Sequence, residues 1–250
     1  MSATYSRVPN DKKTTLLICI SISSTACANI KENKIAPTYS LENKTNGYFM
    51  EPEVLETPEQ VNALFSKNWF YSYEVVLGSK PAIKVDSCKV LSKALQEGYK
   101  SADYKEHVAL IATNKICSTW VDMGKLKPSK ESFLSSFKHS LALPKQMPPE
   151  LSLIISNDDE RRLAKASSWD EMSHIKKVEP VNDDQAIYYD NSGGIQRLTI
   201  MAKGDYNHDG IEDIVLHMAN AVERGSYSSS YSYIVTRLAA DAPYTLIKQF

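Results

Sequence analysis

The nine residues from 205 to 213 carry oxygen-bearing side chains at a spacing that suits a metal ion. They follow the pattern Asp-x-Asn-x-Asp-Gly-x-x-Asp, with short oxygen donors at loop positions one, three, five and nine. Gly210 occupies position six, where such a loop turns sharply and a residue without a Cβ costs least. Calcium prefers about six to eight oxygen ligands. The predicted Ca²⁺ ligands are Asp205, Asn207, Asp209, the backbone carbonyl of Ile211, and Asp213.

The segments on either side of this loop indicate what it connects. Residues 198–202 and 214–218 are apolar and β-prone, without a helical stripe, so the loop is predicted to join two antiparallel strands. It is not an EF-hand, which needs a bidentate Glu at position twelve, because Leu216 stands there. A metal-free turn is the alternative, since Asp-Gly favours hairpins. Such a turn would not need acidic or amide side chains at all four donor positions. His208 and Glu212 lie between those positions and are predicted to face solvent.

With these flanks, the segment from Gly204 to about Leu216 resembles the calcium loops of FG-GAP (integrin-type) repeats and, more loosely, those of dockerin. The resemblance implies a calcium ion held by the donors named above. Both families carry their loops in several copies, whereas this chain carries one. A complete propeller is therefore not expected.

The composition is that of an ordinary globular protein. Of the 250 residues, 42% are hydrophobic and 24% are charged, and the formal net charge is −1. This near-neutral charge argues against a nucleic-acid-binding surface. No apolar run reaches the length of a membrane span.

The N-terminus is typical of an export signal, predicted over residues 1–28. Two lysines precede a short apolar segment that ends in small residues. Cleavage after Ala28 would release a soluble periplasmic protein. Alternatively, the four residues ending at Cys27 resemble a bacterial lipobox, although Ser24 departs from the favoured Leu. A cysteine at the end of such an apolar segment is uncommon by chance, so a lipoprotein lipidated at Cys27 is the preferred interpretation.

Two of the four cysteines fall within this signal, which leaves Cys88 and Cys117. Two cysteines in an exported protein predict one disulfide bond. Two buried thiols or a redox pair are the alternatives, but a redox pair is disfavoured because the chain lacks a Cys-x-x-Cys motif.

Beyond the signal, the chain is predicted to be α+β, with a mixed helical region followed by a sheet. Residues 29–53 are polar and are typical of a flexible tether. Residues 54–180 are predicted to mix helices and short strands. Residues 181–250 contain strand-like runs separated by turn signals, which predict a five-stranded antiparallel β-meander carrying the calcium loop.

Capping residues and apolar periodicity predict individual elements within residues 54–180. Helices are expected to begin at Thr57, at Asp86 or Ser87, at Pro128, at Asn157 and at Ser168. Short strands are expected over residues 69–77, 108–112 and 151–155.

Little in the sequence points to catalysis. Asp170, Glu171 and His174 could share a helical face as acid–base groups, although a solvated helix face is the alternative reading of the same pattern. Tyr231 and Tyr233 alternate along a strand and are predicted to contact a partner, with a polar edge strand whose tyrosines are packed as the alternative.

The sequence therefore predicts an exported calcium-binding protein of non-enzymatic, binding type. Its expected partner is an unknown envelope or extracellular protein or glycan. The alternative is an envelope hydrolase acting on cell-wall or carbohydrate material, with a structural calcium ion.

Overall fold

A computed structural model describes residues 34–250, and its central element is a seven-stranded antiparallel sheet. The predicted export signal and Cys27 lie outside the described residues. Numbered in chain order, the strands are β1 (Thr38–Tyr39), β2 (Tyr73–Val75), β3 (Ile83–Val85), β4 (Ile175–Asn182), β5 (Gln185–Asp190), β6 (Gly194–Gly204), β7 (Asp213–Val222), β8 (Ser228–Thr236) and β9 (Thr245–Gln249).

The helices all lie between β1 and β4 in the chain. They are α1 (Pro58–Leu64), α2 (Cys88–Gln96), α3 (Tyr104–Met123), α4 (Asn157–Leu163) and α5 (Trp169–Ser173), with short 3₁₀ helices at Thr45–Gly47, Leu143–Lys145 and Pro149–Leu151. Among residues 34–250, no helix combines the length and the apolar character that a membrane span needs.

The large sheet is a meander in the order β4-β5-β6-β7-β8-β9, and β1 pairs with the end of β6. The hairpin of β2 and β3 stands apart as a second sheet. Side chains on the two faces of the large sheet join two separate hydrophobic clusters. One cluster includes α1, α2 and α3 with Val215 and Ile234, and the other includes Trp169, Leu198 and Leu216. The sheet is thus covered on both faces.

The predicted five-stranded sheet is wrong, because the sheet contains two further strands. β4 was missed because it is an edge strand whose side chains are mostly exposed, so it lacks the period of two that marks a half-buried strand. It also contains Pro180, which an edge strand tolerates beside an irregular register. β1 has two residues, too few to show any periodicity.

Several elements in the helical region also differ from the predictions. The strand expected over 108–112 is the interior of α3, where β-branched residues are accommodated because the helix packs against other elements. The helix expected at Pro128 is absent, since the backbone of residues 127–131 pairs with other segments. The strand expected over 151–155 is absent, because Leu151 ends a 3₁₀ helix and residues 152–155 form no strand.

Local capping signals succeeded elsewhere. Thr57 caps α1 in a reciprocal capping box with Gln60, as predicted. Ser87 caps α2 and Ser168 caps α5. The cap of α4 is Ser156, one residue before the predicted one.

Part of the stretch predicted as a tether is built into the fold. Residues 38–39 form β1, and Phe49 is buried in the cluster beneath α3. The backbone carbonyl of Asn43 accepts a hydrogen bond of 2.9 Å from the indole of Trp120. Several residues of this stretch therefore contribute to the fold.

Cys88 and Cys117 form a disulfide bond in the structure, with their Cα atoms 5.5 Å apart. The bond joins the first turn of α2 to the middle of α3. Both sulfur-bearing residues are buried, at 0% and 1% exposure.

Candidate calcium site

The predicted calcium loop connects β6 to β7, as its flanks indicated. The two strands pair up to Gly204 and Asp213, so the residues between them project from the end of the hairpin. Gly210 adopts a left-handed backbone with φ of +90°, a conformation that residues with a Cβ rarely adopt. The sharp turn expected at loop position six is therefore present.

A second segment, residues 127–132, holds the loop in place. Lys127 and Asp205 exchange two backbone hydrogen bonds of 2.9 Å each. The carbonyl of Gly210 accepts from the N–H groups of Lys130 and Glu131, at 2.7 and 3.1 Å. The residues that were predicted to start a helix at Pro128 thus pack against the loop and hydrogen-bond to its backbone.

Within the loop, one oxygen of each acidic donor accepts a backbone N–H group. Asp205 Oδ2 accepts from Gly210 at 2.9 Å, and Asp213 Oδ2 accepts from Tyr206 at 2.8 Å. Asp209 Oδ1 accepts from Ile211 at 2.8 Å. These hydrogen bonds hold the side chains of Asp205 and Asp213, at the two ends of the loop, against the loop backbone.

The remaining oxygens at the base of the loop have no partner. Asp205 is 4% exposed and Asp213 is fully buried, and among residues 34–250 Oδ1 of neither side chain has a partner with hydrogen-bond geometry. An unpaired buried carboxylate oxygen is unfavourable, because it has lost water without gaining another partner. A cation between the two oxygens would remove this cost.

The pKa of Asp213 reflects the same environment. Burial raises the pKa of this carboxyl to about 6, the charge of Asp209 raises it further, and the N–H of Tyr206 opposes the shift. The Thr236 hydroxyl and the N–H of Asn207 also act to lower the pKa of Asp213, but burial outweighs them. The site therefore holds a buried carboxyl whose negative form is disfavoured by burial and by a second carboxylate.

Asn207 and Asp209 lie on the exposed side of the loop. Their side chains bond to each other, with Asn207 Nδ2 donating to Asp209 Oδ2 at 2.9 Å. No group of three or more His, Cys, Asp or Glu residues is assembled as a metal site in the part of the chain that the structure describes. A calcium shell would therefore need the Asn207 amide and the Ile211 carbonyl beside the carboxylates, and the bond between Asn207 and Asp209 would yield to the ion.

Glu212 was predicted to face solvent, but it is 7% exposed. Its Oε2 atom accepts a hydrogen bond of 2.6 Å from the Ser132 hydroxyl, which links the end of the loop to the segment of residues 127–132. Nothing in the sequence around Glu212 could reveal this role, because it depends on a contact between residues 80 positions apart. His208 is exposed with φ of +66°, as a turn residue.

The tyrosines predicted to contact a partner do not form an exposed pair. Tyr233 is 1% exposed and lies in the core beside Leu216, so it cannot be a surface contact. Tyr231 is half-buried, and the ammonium of Lys115 lies 3.8 Å from the centre of its ring. Tyr231 and Tyr233 do lie on the same face of the strand, as predicted, but other elements cover that face of the sheet.

The three residues weighed as acid–base groups have local roles. Asp170 Oδ1 accepts a hydrogen bond from the Ile175 N–H, and Glu171 accepts from the backbone and side chain of Ser167. These bonds from Ser167 hold the pKa of Glu171 below its ordinary value. His174 ends α5 in a left-handed conformation.

Comparison of the chain with models of protein families gives no match. Neither a curated protein nor a solved structure matches it at a significant level. The geometry of the loop is consequently the observation from which a function can be inferred.

Proposed function

We propose that this is an exported calcium-binding protein of binding, non-enzymatic type, in which one Ca²⁺ ion stabilises the hairpin between β6 and β7. The observation that carries the proposal is the pair of unpartnered, buried oxygens on Asp205 and Asp213. A divalent cation would pair with both oxygens and offset the burial of two carboxylates. The resemblance of the loop to FG-GAP calcium loops supports the same assignment.

In this proposal the ion has a structural role. It would link the end of the hairpin to residues 127–132, which already contact the loop through Asp205 and Gly210. These contacts join segments that are far apart in the chain. Calcium would therefore stabilise the junction between the helical region and the sheet, rather than activate a water molecule.

Calcium is expected to raise the thermal stability of the protein. We expect one ion to bind with a dissociation constant on the order of 10⁻⁴ to 10⁻³ M, as for extracellular calcium modules. At about 10 mM calcium, binding to the folded state alone would add roughly 1.4 to 2.7 kcal/mol. Calorimetric titration would measure the affinity and thermal unfolding would measure the gain. An absence of both heat and stabilisation up to that concentration would contradict the proposal.

Two substitutions separate calcium binding from a general loss of structure. Asp213→Asn should abolish the calcium-dependent gain, while in chelator it should be at least as stable as the natural protein, because it removes a charge whose burial is unfavourable. Asp183→Asn changes an exposed aspartate in the turn between β4 and β5, and it should keep the full calcium response. An equal response in both variants would rule out the loop as the site.

The disulfide between Cys88 and Cys117 supports export, because such bonds persist in oxidising compartments. The proposed location is the periplasm, with a lipid anchor at Cys27. We expect the native protein to carry a lipid-modified N-terminal Cys27, and Cys27→Ser to release a soluble form or stall processing. Mass spectrometry that instead finds an unmodified N-terminus at Asn29 would favour ordinary secretion.

The hydrolase alternative makes a distinct prediction. Measurable turnover of peptidoglycan or polysaccharide, lost on substitution of Asp170, Glu171 or His174, would replace the binding-type proposal. Asp170 and Glu171 already accept hydrogen bonds from nearby backbone N–H groups, which gives both carboxylates a structural role. The calcium assignment would survive this outcome, since it rests on a different part of the chain.

A further inference from the structure

A cavity of about 400 Å³ lies between α2, α3 and β9, apart from the calcium loop. Its volume falls within the range of about 300 to 1,000 Å³ that is common for small-molecule sites. Its lining includes three apolar residues, Phe65, Val121 and Phe250. It also includes two lysines, Lys125 and Lys248.

The two lysines are organised around one buried carboxylate. The side chain of Asp122 is 2% exposed, and its two oxygens accept hydrogen bonds of 2.5 Å from Lys125 and Lys248. One negative charge thus lies against two positive charges. Because an ammonium group has three N–H donors, each lysine retains donors beyond the one that it gives to Asp122.

The lysine on β9 is held in its charged state. Burial lowers the pKa of Lys248, but its hydrogen bond and charge contact with Asp122 outweigh burial and raise the pKa above the ordinary value. Lys248 also lies over the ring of Phe250, with its nitrogen 4.5 Å from the ring centre. The ammonium is therefore both charged and adjacent to the apolar wall.

We propose that this cavity binds a small organic anion with an apolar or aromatic body. The acidic group of the ligand, a carboxylate, sulfonate or phosphate, would accept hydrogen bonds from Lys125 and Lys248. The body of the ligand would pack against Phe65, Val121 and Phe250. Neither lysine is a predicted calcium ligand, so the proposal does not depend on calcium binding.

The chain provides a matched control in a second cavity. This cavity has a volume of about 360 Å³ and is lined by Ile83, Val90 and Tyr99 beside Lys89 and Lys93. It is more apolar, and no buried carboxylate among its lining residues organises its lysines. An apolar dye without charge should have no preference for the first cavity, whereas an anionic aromatic dye should.

The experiment uses anilinonaphthalene sulfonate as the probe and neutral phenyl-naphthylamine as the uncharged comparison, with the full chain. We expect saturable binding of the anionic dye to the folded protein. Lys248→Met should weaken it by about tenfold, which is the usual effect of losing a charge-assisted hydrogen bond. Lys89→Met should leave it unchanged. Ser92→Trp, which places a bulky side chain into the first cavity, should abolish it.

Circular dichroism and the melting temperature would verify that each variant is folded. Should Lys248→Met fail to fold, Lys125→Met serves instead, because its side chain is 55% exposed and less of the core depends on it. The proposal is overturned if the folded protein does not bind the anionic dye. It is also overturned if Lys89→Met weakens binding of the anionic dye as much as Lys248→Met does. The same holds if Lys248→Met lowers the affinity for the neutral dye as much as for the anionic dye.

Discussion

Replacing Cys88 and Cys117 together with Ala is expected to lower the free energy of unfolding by about 3.5 kcal/mol. The disulfide joins residues 29 positions apart, so its loss releases the unfolded chain from a constraint of that length. Both residues are buried between α2 and α3, so truncation of the two side chains also removes packing there.

Chemical denaturation of the oxidised protein and of the double variant would measure the difference. Reductant provides the internal control, because it should destabilise the natural protein by a similar amount and leave the variant unaffected. Equal unfolding midpoints for the oxidised protein and the variant would contradict the expectation. So would full labelling of both cysteines by a thiol reagent in denatured protein that has not been reduced.

The second large effect concerns pH and His217 on β7. This side chain is 5% exposed, and its directly paired neighbours Thr199 and Ser232 are also buried and polar. Its Nδ1 atom lies 3.2 Å from the Ser232 hydroxyl. Burial lowers the pKa of His217 to about 3, and the positive charges of Lys44 and Lys115 act in the same direction. The folded protein therefore holds this imidazole neutral.

The sign of the pH effect follows from that shift. The pKa of His217 is lower in the folded state than its ordinary value of 6.5, so the unfolded state binds more protons at acidic pH. The contribution to stability is complete above pH 6.5 and is lost as the pH falls toward 3. At pH 4.0 the loss amounts to about 3 kcal/mol, from 2.5 pH units at about 1.36 kcal/mol each.

His217→Gln should remove this part of the pH dependence, because the amide can still meet the Ser232 hydroxyl but does not titrate. The difference in unfolding free energy between pH 7.5 and pH 4.0 would be measured for both proteins in chelator, so that calcium does not contribute. We expect the natural protein to lose about 3 kcal/mol more than the variant. Parallel pH profiles for the two proteins would show that His217 is not held neutral by the fold.

The sequence by itself determined those features that depend on neighbouring residues. The spacing from Asp205 to Asp213 predicted a loop between two strands with a turn at Gly210, and the structure shows that hairpin loop, while calcium binding by it stays a prediction. Thr57 and Ser87 marked the starts of α1 and α2, because a cap is made within one helical turn. Such signals are short-range, so no other part of the chain is needed to interpret them.

Tertiary structure decided which surfaces are covered, and this changed the meaning of several patterns. The alternating tyrosines at 231 and 233 are compatible with an exposed strand and with a buried one. Tyr233 lies in the core because other residues pack over its face of the sheet. β4 gave no apolar alternation because its position at the sheet edge leaves most side chains in water.

The same limit applies to the sites themselves. The burial of Asp205 and Glu212 follows from contacts with residues 127–132, a segment about 80 positions away. The cavity beside Lys248 exists because β9 meets α3, and Asp122 lies 126 positions from that lysine. The spacing of nearby residues specifies metal donors and turns. Charge pairs, burial and cavities arise only when distant segments pack together, so the spacing of nearby residues does not predict them.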